Sequence, residues 1–332
     1  MANQIIYNMI TERVIDQLLD AIEAKKAGKN VLAPWHKPWF QNGKPQNFVT
    51  KKPYQGVNIF VLSMQGYSSP YFLSYKQATE LHRDFDHFGT GKEKRYGFDK
   101  DGNGIYPLKK HEDGTKEKVT PVVYWGKRKV YKDKNGKSLG LDENGKKKWK
   151  YIWLLRYYSV FNVEQCTGFE EKIPVQDCRT FTPIESGDKI IEDMPNRPTM
   201  THNEARAFYS PSLDSVNLPK HELFDTDAKY YSTAFHELAH STGHKSRLNR
   251  KTITEAINFG SHDYSTEELI AEFSSIFLCN EIGVQSTFDN SLSYLKSWLK
   301  KLKDDTKLLI YAAGRAQKAV DYILDETPVY DD

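Results

Sequence analysis

Residues 230–250, YYSTAFHELAHSTGHKSRLNR, contain two histidines and a glutamate in the order H-E-x-x-H. On an α-helix, His236 and His240 lie one turn apart on the same face, so one nitrogen of each imidazole can reach a single metal ion. Glu237 is rotated from them by one residue, which places its carboxylate beside the open coordination position, where it can take a proton from metal-bound water. The spacing therefore predicts a metal centre with hydrolytic chemistry and Glu237 as its general base.

A zinc hydrolase needs a third protein ligand, and the sequence offers one on the next predicted helix. One class of zinc peptidases uses a histidine ten residues after the first, but Ser246 occupies that position. The gluzincin class uses a glutamate followed by a small residue at +3 and an acid or amide at +4, and EELIAEFSSIFLCNEIG fits this pattern. Glu268 is the predicted ligand, and Glu272 is predicted to accept a hydrogen bond from a ligand histidine. Glu267 is the alternative ligand if the helix is rotated by one residue.

The H-E-x-x-H motif alone is moderate evidence, because two His and one Glu occur at these positions in roughly one chain in a hundred of this length. Two carboxylates on the core-facing side of one helix are costly to bury without a cation, so the second segment strengthens the prediction. The set of two nitrogens and one oxygen predicts one zinc ion per chain. A side chain near the cleft would stabilise the oxyanion, and the sequence leaves three candidates: Tyr231, Tyr264 and His262.

Charge and aromatic residues divide the chain into two unlike parts. Residues 1–160 contain 29 Lys and Arg against 16 Asp and Glu, whereas the remaining residues are net acidic and the formal charge of the whole is only +3. Five of the six Trp also lie in the first part. Such a split favours two domains with different partners, the first of which suits a polyanion.

Hydrophobic periodicity predicts an α+β protein with two domains. Residues 3–26 repeat apolar side chains at helical spacing, and PVVYWGKRKVY and KKKWKYIWLLRYYSVFNV are rich in the β-branched and aromatic residues typical of strands. The chain turns acidic and contains several prolines between 163 and 200. We therefore predict a basic, β-rich α+β domain at 1–165, an acidic linker segment at 166–200 and a mostly helical, gluzincin-like metallopeptidase domain at 201–332.

Location and redox state follow from simple absences in the sequence. No apolar run is long enough to span a membrane, and the N-terminal stretch is charged where a secretory signal would be apolar, at Glu12, Arg13, Asp16 and Asp20. We expect a cytoplasmic chain with no membrane partner. The three cysteines are odd in number and lack a short paired spacing, which favours reduced thiols over a disulfide framework or a thiolate zinc site.

Both parts of the chain resemble one known family. The segments YYSTAFHELAHSTGHKSRLNR, EELIAEFSSIFLCNEIG, AFYSPSLDSVNLP and YLKSWLKKLKDDTKLLIYAAGRAQKAVDYIL resemble the metallopeptidase domain of ArdC-type antirestriction proteins. PWHKPW, PYQGVNIFVL, SPYFLSYKQA and YYSVFNVEQCTG resemble the N-terminal single-stranded-DNA-binding domain of that family. The resemblance covers nearly the whole chain and departs between residues 88 and 150, where the family is usually shorter.

This resemblance implies a cytoplasmic protein of plasmids, phages or other mobile elements that acts with DNA transferred by conjugation. Such a protein binds single-stranded DNA and protects the incoming molecule from host restriction. The resemblance also implies a zincin-like peptidase site, whose protein substrate is unidentified.

The composition of the first part agrees with single-strand binding, since a basic surface follows phosphates and exposed rings stack on bases. Aromatic residues alternate with Lys and Arg in PWHKPWF, VYWGKRKVY and KKKWKYIWLLRYY, and from the first two segments we predict the DNA contacts: Trp35, Lys37, Trp39, Trp125, Lys127 and Arg128. The alternative is that most of these rings form the core of a small β-rich domain.

Three functions are compatible with these residues. The first is an antirestriction protein that binds single-stranded DNA and also acts as a zinc peptidase. The second is a DNA-binding protein whose zinc only holds the fold, and the third is a general cytosolic zinc peptidase whose basic half recognises acidic protein. Glu237 favours the first over the second, because a purely structural site has no use for a base beside the metal.

Overall fold

The structure, a computed structural model, describes residues 2–29, 44–84, 97–98, 104–105, 108–109, 113, 115–167, 183–255, 262–284 and 292–327. It is a mixed α+β protein with a β-rich N-terminal domain and a mostly helical C-terminal domain, which confirms the predicted fold class. Among these residues, no helix combines the length and the apolarity that a membrane span requires.

Nine helices and nine strands lie within the described residues. The helices are α1 (Ala2–Lys26), α2 (Val57–Ser63), α3 (Tyr75–Asp84), α4 (Pro183–Asp193), α5 (Asp227–Ser241), α6 (Lys251–Thr254), α7 (His262–Glu281), α8 (Leu292–Asp304) and α9 (Leu308–Ile323). The strands are β1 (Gln46–Asn47), β2 (Tyr71–Ser74), β3 (Gly97–Phe98), β4 (Gly104–Ile105), β5 (Thr120–Val130), β6 (Lys150–Asn162), β7 (Thr199–Thr201), β8 (Phe208–Ser210) and β9 (Ser215–Asn217).

Helix α1 forms because apolar side chains recur every four residues and make one buried stripe. This stripe consists of Ile6, Ile10, Val14, Leu18 and Ile22, all of which are buried. After the helix the chain turns at Gly28, whose φ of 75° lies in the left-handed region that favours glycine. The helix packs against both α8 and β6, so its apolar stripe is covered by elements from both domains.

A four-stranded sheet with the order β1-β2-β6-β5 forms the centre of the N-terminal domain. Strands β1 and β2 are parallel, and the other neighbouring pairs are antiparallel. Its base is a closed core in which Phe72, Val122 and Val160 are fully buried. Helix α2 is fixed beside β5 by Asn58, whose side chain donates to Val123 O and accepts from Val123 N, each at 2.8 Å. Beyond this base, β5 and β6 continue as a two-stranded ribbon.

Helices α5, α7 and α9 form the centre of the C-terminal domain, with the small sheet β7-β9-β8 beside α5. Helix α4 comes so close to α5 that a Cβ atom at Gly187 would lie 2.4 Å from the Tyr231 ring. The Tyr231 hydroxyl donates to Ile184 O and to Asp188 Oδ1, both at 2.9 Å. Segment 166–200, predicted as an acidic linker, therefore contains a helix that packs on the C-terminal domain.

The two domains share one apolar core, which the sequence analysis did not anticipate. Phe60 on α2 contacts Phe273 and Phe277 on α7, with ring centroids 4.2 and 5.2 Å apart. At the other end of the contact, buried Thr11 on α1 donates to Thr306 O at 2.7 Å. Burying one Phe side chain is worth about 1.5–3 kcal/mol, so these contacts couple the stability of the two domains. The boundaries at 165 and 200 stay predictions.

Candidate metal centre

Helix α5 presents the H-E-x-x-H segment by burying the residues around it. The helix begins after Thr226, whose side-chain oxygen accepts a hydrogen bond from Lys229 N at 3.3 Å. Phe235, Leu238 and Ala239 are fully buried and hold the helix against the core. The two histidines of the motif are then left on the remaining face of the same helix, one turn apart.

The structure brings the three predicted ligands together. The Nε2 atoms of His236 and His240 face each other at 3.1 Å, and the two rings are inclined by 83°. Glu268 approaches from α7, with Oε2 3.6 Å from His236 Nε2 and Oε1 3.7 Å from His240 Nε2. Within the described part of the chain, this is the one group of three or more potential ligands whose donor atoms lie within 4.8 Å of one another.

This donor set fits a divalent cation. Two nitrogens bound at about 2.0–2.1 Å to a tetrahedral ion lie about 3.3 Å apart, close to the 3.1 Å between the two Nε2 atoms. Two imidazole nitrogens directed at one point repel each other unless a proton or a cation lies between them. The side chains of His236, His240 and Glu268 are 17%, 12% and 31% exposed, so the site is largely enclosed yet reachable.

Negative charge is concentrated around these rings. Burial lowers the pKa of His240, but the nearby carboxylates of Glu267, Glu237 and Glu268 outweigh that effect and raise the pKa above its ordinary value. Glu237 is therefore within electrostatic reach of the His240 ring, and its own side chain is only 9% exposed. A bound cation would compensate the negative charge of the several carboxylates that lie beside this pair of imidazoles.

The sequence analysis missed the position of Glu267, which lies behind the ligand group. Its Oε1 is 3.4 Å from His240 Nδ1, the ring nitrogen that points away from Glu268. Arg250 holds both carboxylate oxygens, with Nε 3.1 Å from Oε2 and Nη2 2.5 Å from Oε1. Thr252 Oγ1 also donates to Oε2, at 2.5 Å. Because the side chains of Arg250 and Glu267 are only 2% and 4% exposed, this is a buried ion pair.

Arg250 also ties this ion pair to the end of α5. Its Nη2 donates to Ala239 O at 2.8 Å, and its Nη1 donates to Thr242 Oγ1 at 2.5 Å. Burial raises the pKa of Glu267, but the hydrogen bond from His240 and the charge of Arg250 outweigh it and lower the pKa to about 2. An ionised carboxylate only accepts hydrogen bonds, so His240 Nδ1 donates to Glu267, and in the neutral form of the ring the lone pair that can bind a metal is then on Nε2. No sequence spacing links Arg250 to Glu267, and only the fold reveals the pair.

Glu272 was predicted to accept a hydrogen bond from a ligand histidine, but at His240 another carboxylate does so. Glu272 lies one turn after Glu268 on α7 and is half-buried. The carboxylate at His240 Nδ1 belongs to Glu267, the residue that the sequence analysis kept as the alternative ligand. The rotation of α7 thus turns Glu268 toward the Nε2 atoms and Glu267 toward the back of one ring.

Among the three oxyanion candidates, Tyr231 is excluded by its contacts. Its ring is buried, and its hydroxyl hydrogen is directed at Ile184 O and Asp188 Oδ1 on α4. The backbone of His262 and Tyr264 forms the first turn of α7, but their side chains lie outside the described residues.

The predicted DNA-contact residues fall into two groups. Trp35, Lys37 and Trp39 lie outside the described residues. The second group lies on the exposed part of β5, where strand alternation places Trp125 and Lys127 on one face and Arg128 on the other.

Two family profiles together match most of the chain. The profile described as the N-terminal domain of anti-restriction factor ArdC matches residues 8–161. The profile described as a zincin-like metallopeptidase matches residues 187–315. The second match contains the whole ligand group, and the first contains all of the four-stranded sheet except Asn162.

Solved structures and curated relatives agree with these profiles. The metal-free crystal structure of the antirestriction ArdC protein from plasmid R388 is similar over 96% of each chain, with 30% identity and a TM-score of 0.63. The Mn(II)-bound structure of that protein covers 96% of this chain and 97% of its own, with 28% identity and a TM-score of 0.61. The DNA primase TraC of Escherichia coli is 33% identical over 330 residues. That match covers 96% of this chain but only 27% of the primase.

Proposed function

The chain belongs to the ArdC family of antirestriction proteins, and from that premise we propose that it binds single-stranded DNA and hydrolyses peptide bonds at a zinc centre. The observation that supports the peptidase is the convergence of ligand atoms of His236, His240 and Glu268 within 4.8 Å of one another, with Glu237 on the helix that contains the two histidines. The two histidines and Glu268 would hold one zinc ion. A bound ion of this kind supplies Lewis acidity to a carbonyl and lowers the pKa of water.

Glu237 is the proposed general base. Its carboxylate accepts the proton of the attacking water and returns it to the leaving amine, so that the amine departs in its neutral or protonated form. Its position, one residue from a ligand histidine and largely buried, shields it from bulk solvent and keeps it on the same helix as the two ligand histidines. Glu267 orients the His240 ring and does not touch the substrate.

The proposed DNA-binding activity is supported by the charge of the N-terminal domain and its exposed aromatic side chains. The surplus of Lys and Arg in residues 1–160 attracts phosphates, with an affinity that falls as salt rises. The large exposed rings of this domain include three tryptophans, Trp125, Trp149 and Trp153, which offer stacking surfaces. Coating a strand in this way is sufficient to shield it from a restriction enzyme, and the peptidase acts on a separate protein substrate.

Glu237→Gln tests the two activities in one variant, since it keeps the size of the side chain and removes the base. Hydrolysis of fluorescein-labelled casein falls by orders of magnitude, while zinc content, measured by elemental analysis, and DNA affinity are retained. Glu185→Gln, at an exposed position on α4, is the matched control and leaves all three unchanged.

Restriction protection of transferred DNA is measured in the same variants. We expect Glu237→Gln to protect as well as the parent chain, because occupancy of the strand is unaffected. Loss of protection with unchanged DNA affinity would instead make proteolysis the mechanism of antirestriction. Undiminished casein hydrolysis in Glu237→Gln would remove the proposed peptidase mechanism.

A further inference from the structure

The ribbon formed by β5 and β6 beyond the sheet base has two chemically different faces. In the antiparallel register, Trp125 pairs with Leu155, Lys127 with Trp153, and Lys129 with Tyr151. Directly opposite residues share a face, so these side chains form one surface. The alternate pairs, Gly126 with Leu154 and Arg128 with Ile152, form the other. We name these surfaces the aromatic face and, after Leu154 and Ile152, the aliphatic face of the ribbon; the latter also contains Tyr124, which pairs with Arg156 near the sheet base.

Leu155 is where the aromatic face leaves the core. Leu155 is buried, whereas the rings that follow outward are about half exposed: Trp125 at 46%, Trp153 at 52%, Tyr151 at 50% and Trp149 at 46%. Trp149 continues the same surface, because its ring contacts that of Tyr151 edge-on with centroids 4.9 Å apart. A row of large exposed rings on one side of a two-stranded ribbon is an interaction surface.

Lysines alternate with these rings. Lys127 Nζ lies 5.2 Å from the centroid of the Trp153 ring, and Lys129 Nζ lies 4.3 Å from that of Trp149. Such cation–π contacts hold the ammonium groups beside the rings and leave the rest of each ring accessible. The combination of a flat apolar surface with an adjacent positive charge matches a nucleotide, which offers a base and a phosphate.

The far end of the ribbon is basic and is closed by hydrogen-bonded turns. Two turns of the same construction follow one another, since Asp133 Oδ1 accepts from the amides of residues 135 and 137, and Asp142 Oδ1 from those of 144 and 146. Gly136 and Gly145 provide the left-handed positions, with φ of 80° and 74°. Residues 127–150 contain ten Lys and Arg against three Asp and Glu, and two of those three acids are used within the turns.

Resting on the proposed single-strand binding, we propose that the aromatic face of the ribbon is the surface that binds single-stranded DNA. Bases stack on Trp125, Trp153 and Tyr151, and phosphates lie against Lys127 and Lys129. Residues two apart on a strand are separated by about 6.8 Å, twice the roughly 3.4 Å rise per nucleotide of a duplex strand. Neighbouring rings therefore contact every second base, or successive bases of a strand more extended than in a duplex.

The geometry also removes one residue from the predicted DNA contacts and adds others. Arg128 lies on the aliphatic face, opposite Ile152, so it is outside the proposed surface. Lys129, Tyr151 and Trp153 belong to the proposed surface, although the sequence pattern had singled out only the segments that contain them and not the residues themselves. The competing explanation is that the rings only stabilise the ribbon by pairing across it. Binding and stability measurements on the same variants separate the two.

The experiment measures binding of fluorescein-labelled oligo(dT) to the full chain by anisotropy, at two salt concentrations. Trp153→Ala and Tyr151→Ala each weaken binding by about tenfold, as expected when one stacking ring is lost. Tyr124→Ala is the matched control, because Tyr124 is a 43% exposed ring of the same strand pair on the aliphatic face. Lys129→Gln weakens binding more than Arg128→Gln, which is the matched charge control.

The outcomes distinguish this inference from the function on which it rests. If the parent chain does not bind oligo(dT), both the proposed DNA-binding function and the inference fail. If the parent binds while Trp153→Ala and Tyr151→Ala bind equally well, the inference alone is overturned. Equal affinity of the parent for duplex DNA, or for polyglutamate, would also overturn it, because charge attraction then replaces stacking.

A fall in the melting temperature of Trp153→Ala would leave a structural role open for that variant. Trp153→Phe then decides, since it keeps a flat ring on the ribbon: binding within about threefold of the parent supports stacking. A tenfold loss in Trp153→Phe with a normal melting temperature contradicts it.

Discussion

The metal centre and the β5–β6 ribbon place their functional side chains in opposite environments. At the metal centre, His240 is 12% exposed and is backed by an ion pair between Arg250 and Glu267 that is buried almost completely. On the ribbon, Trp153 and Tyr151 are about half exposed and extend away from the core. A single cation requires a few ligands fixed at about 2 Å, whereas a long flexible strand is held by many weak contacts. Loss of one metal ligand should therefore abolish metal binding at the first site. Loss of one ring should only weaken DNA binding at the second.

The largest effect is expected for His240→Ala, which removes one of three ligands. Metal affinity should fall by more than the roughly 100-fold that is typical of losing an outer hydrogen-bond partner, so the purified chain no longer retains one zinc. His244→Ala is the matched control, because His244 lies outside the ligand group and its Nδ1 contacts Ser246. Oligo(dT) affinity should be unchanged in both. Stoichiometric zinc in His240→Ala would disprove the site, as elemental analysis can show directly.

Phe60→Ala tests whether the two regions are independent. Phe60 belongs to the N-terminal domain but packs on α7, the helix that contains Glu268. Truncating a buried Phe costs about 3–5 kcal/mol, and we expect this loss in the free energy of unfolding of the whole chain. Leu213→Ala, at a 76% exposed position, is the control. Two separate urea transitions, only one of them shifted in Phe60→Ala, would show that the domains unfold independently despite the shared core.

Glu267→Gln sharpens the description of the metal centre, because it keeps the shape of the side chain and removes the charge that orients His240. We expect zinc affinity to fall about 10- to 100-fold. Glu272→Gln is the informative comparison, since the sequence analysis gave the orienting role to Glu272. Competition with a fluorescent zinc chelator measures both variants. Zinc affinity equal to that of the parent chain in Glu267→Gln would mean that the 3.4 Å contact of Glu267 does not orient the ring.

The smallest effect is expected at the tip of the ribbon. Lys134→Gln and Lys147→Gln each remove one exposed charge from the two turns. For a single strand, the slope of log affinity against log salt should become shallower by roughly 0.7 for each phosphate contact that is lost. Zinc content should not change. A slope equal to that of the parent chain would place the tip outside the bound strand, while leaving the aromatic face in contact with it.

The H-E-x-x-H segment could be recognised from sequence because its geometry is local. Four residues of helix fix the relative positions of His236 and His240, and a helix of this length is stable once one side is buried. Glu268 was found by its spacing on a second helix. The phase of that helix relative to α5 is set by packing, which is why the sequence left Glu267 open as an alternative ligand.

In the ribbon, the property that the sequence pattern could not predict is the pairing register of the two strands. Alternation of rings and lysines in the predicted strands left open whether these aromatic residues are exposed or form the core, and the pairing register decides which of them share a surface. Arg128 is adjacent to Lys127 in sequence, yet the two side chains point to opposite sides. The segment that joins the two strands contains hydrogen-bonded turns at residues 133–137 and 142–146, and turns of this kind help to fix the register of a hairpin.

The sequence by itself determined the chemistry available to this protein: two imidazoles and a carboxylate at helical spacing, and a basic half rich in aromatic residues. These properties need only local geometry and composition. The tertiary structure alone decided which distant residues meet. It joined Arg250 to Glu267 across 17 positions and packed Phe60 onto α7, because burying charge requires a partner and burying rings requires a matching surface. Neither requirement produces a regular spacing in the sequence from which these contacts could be predicted.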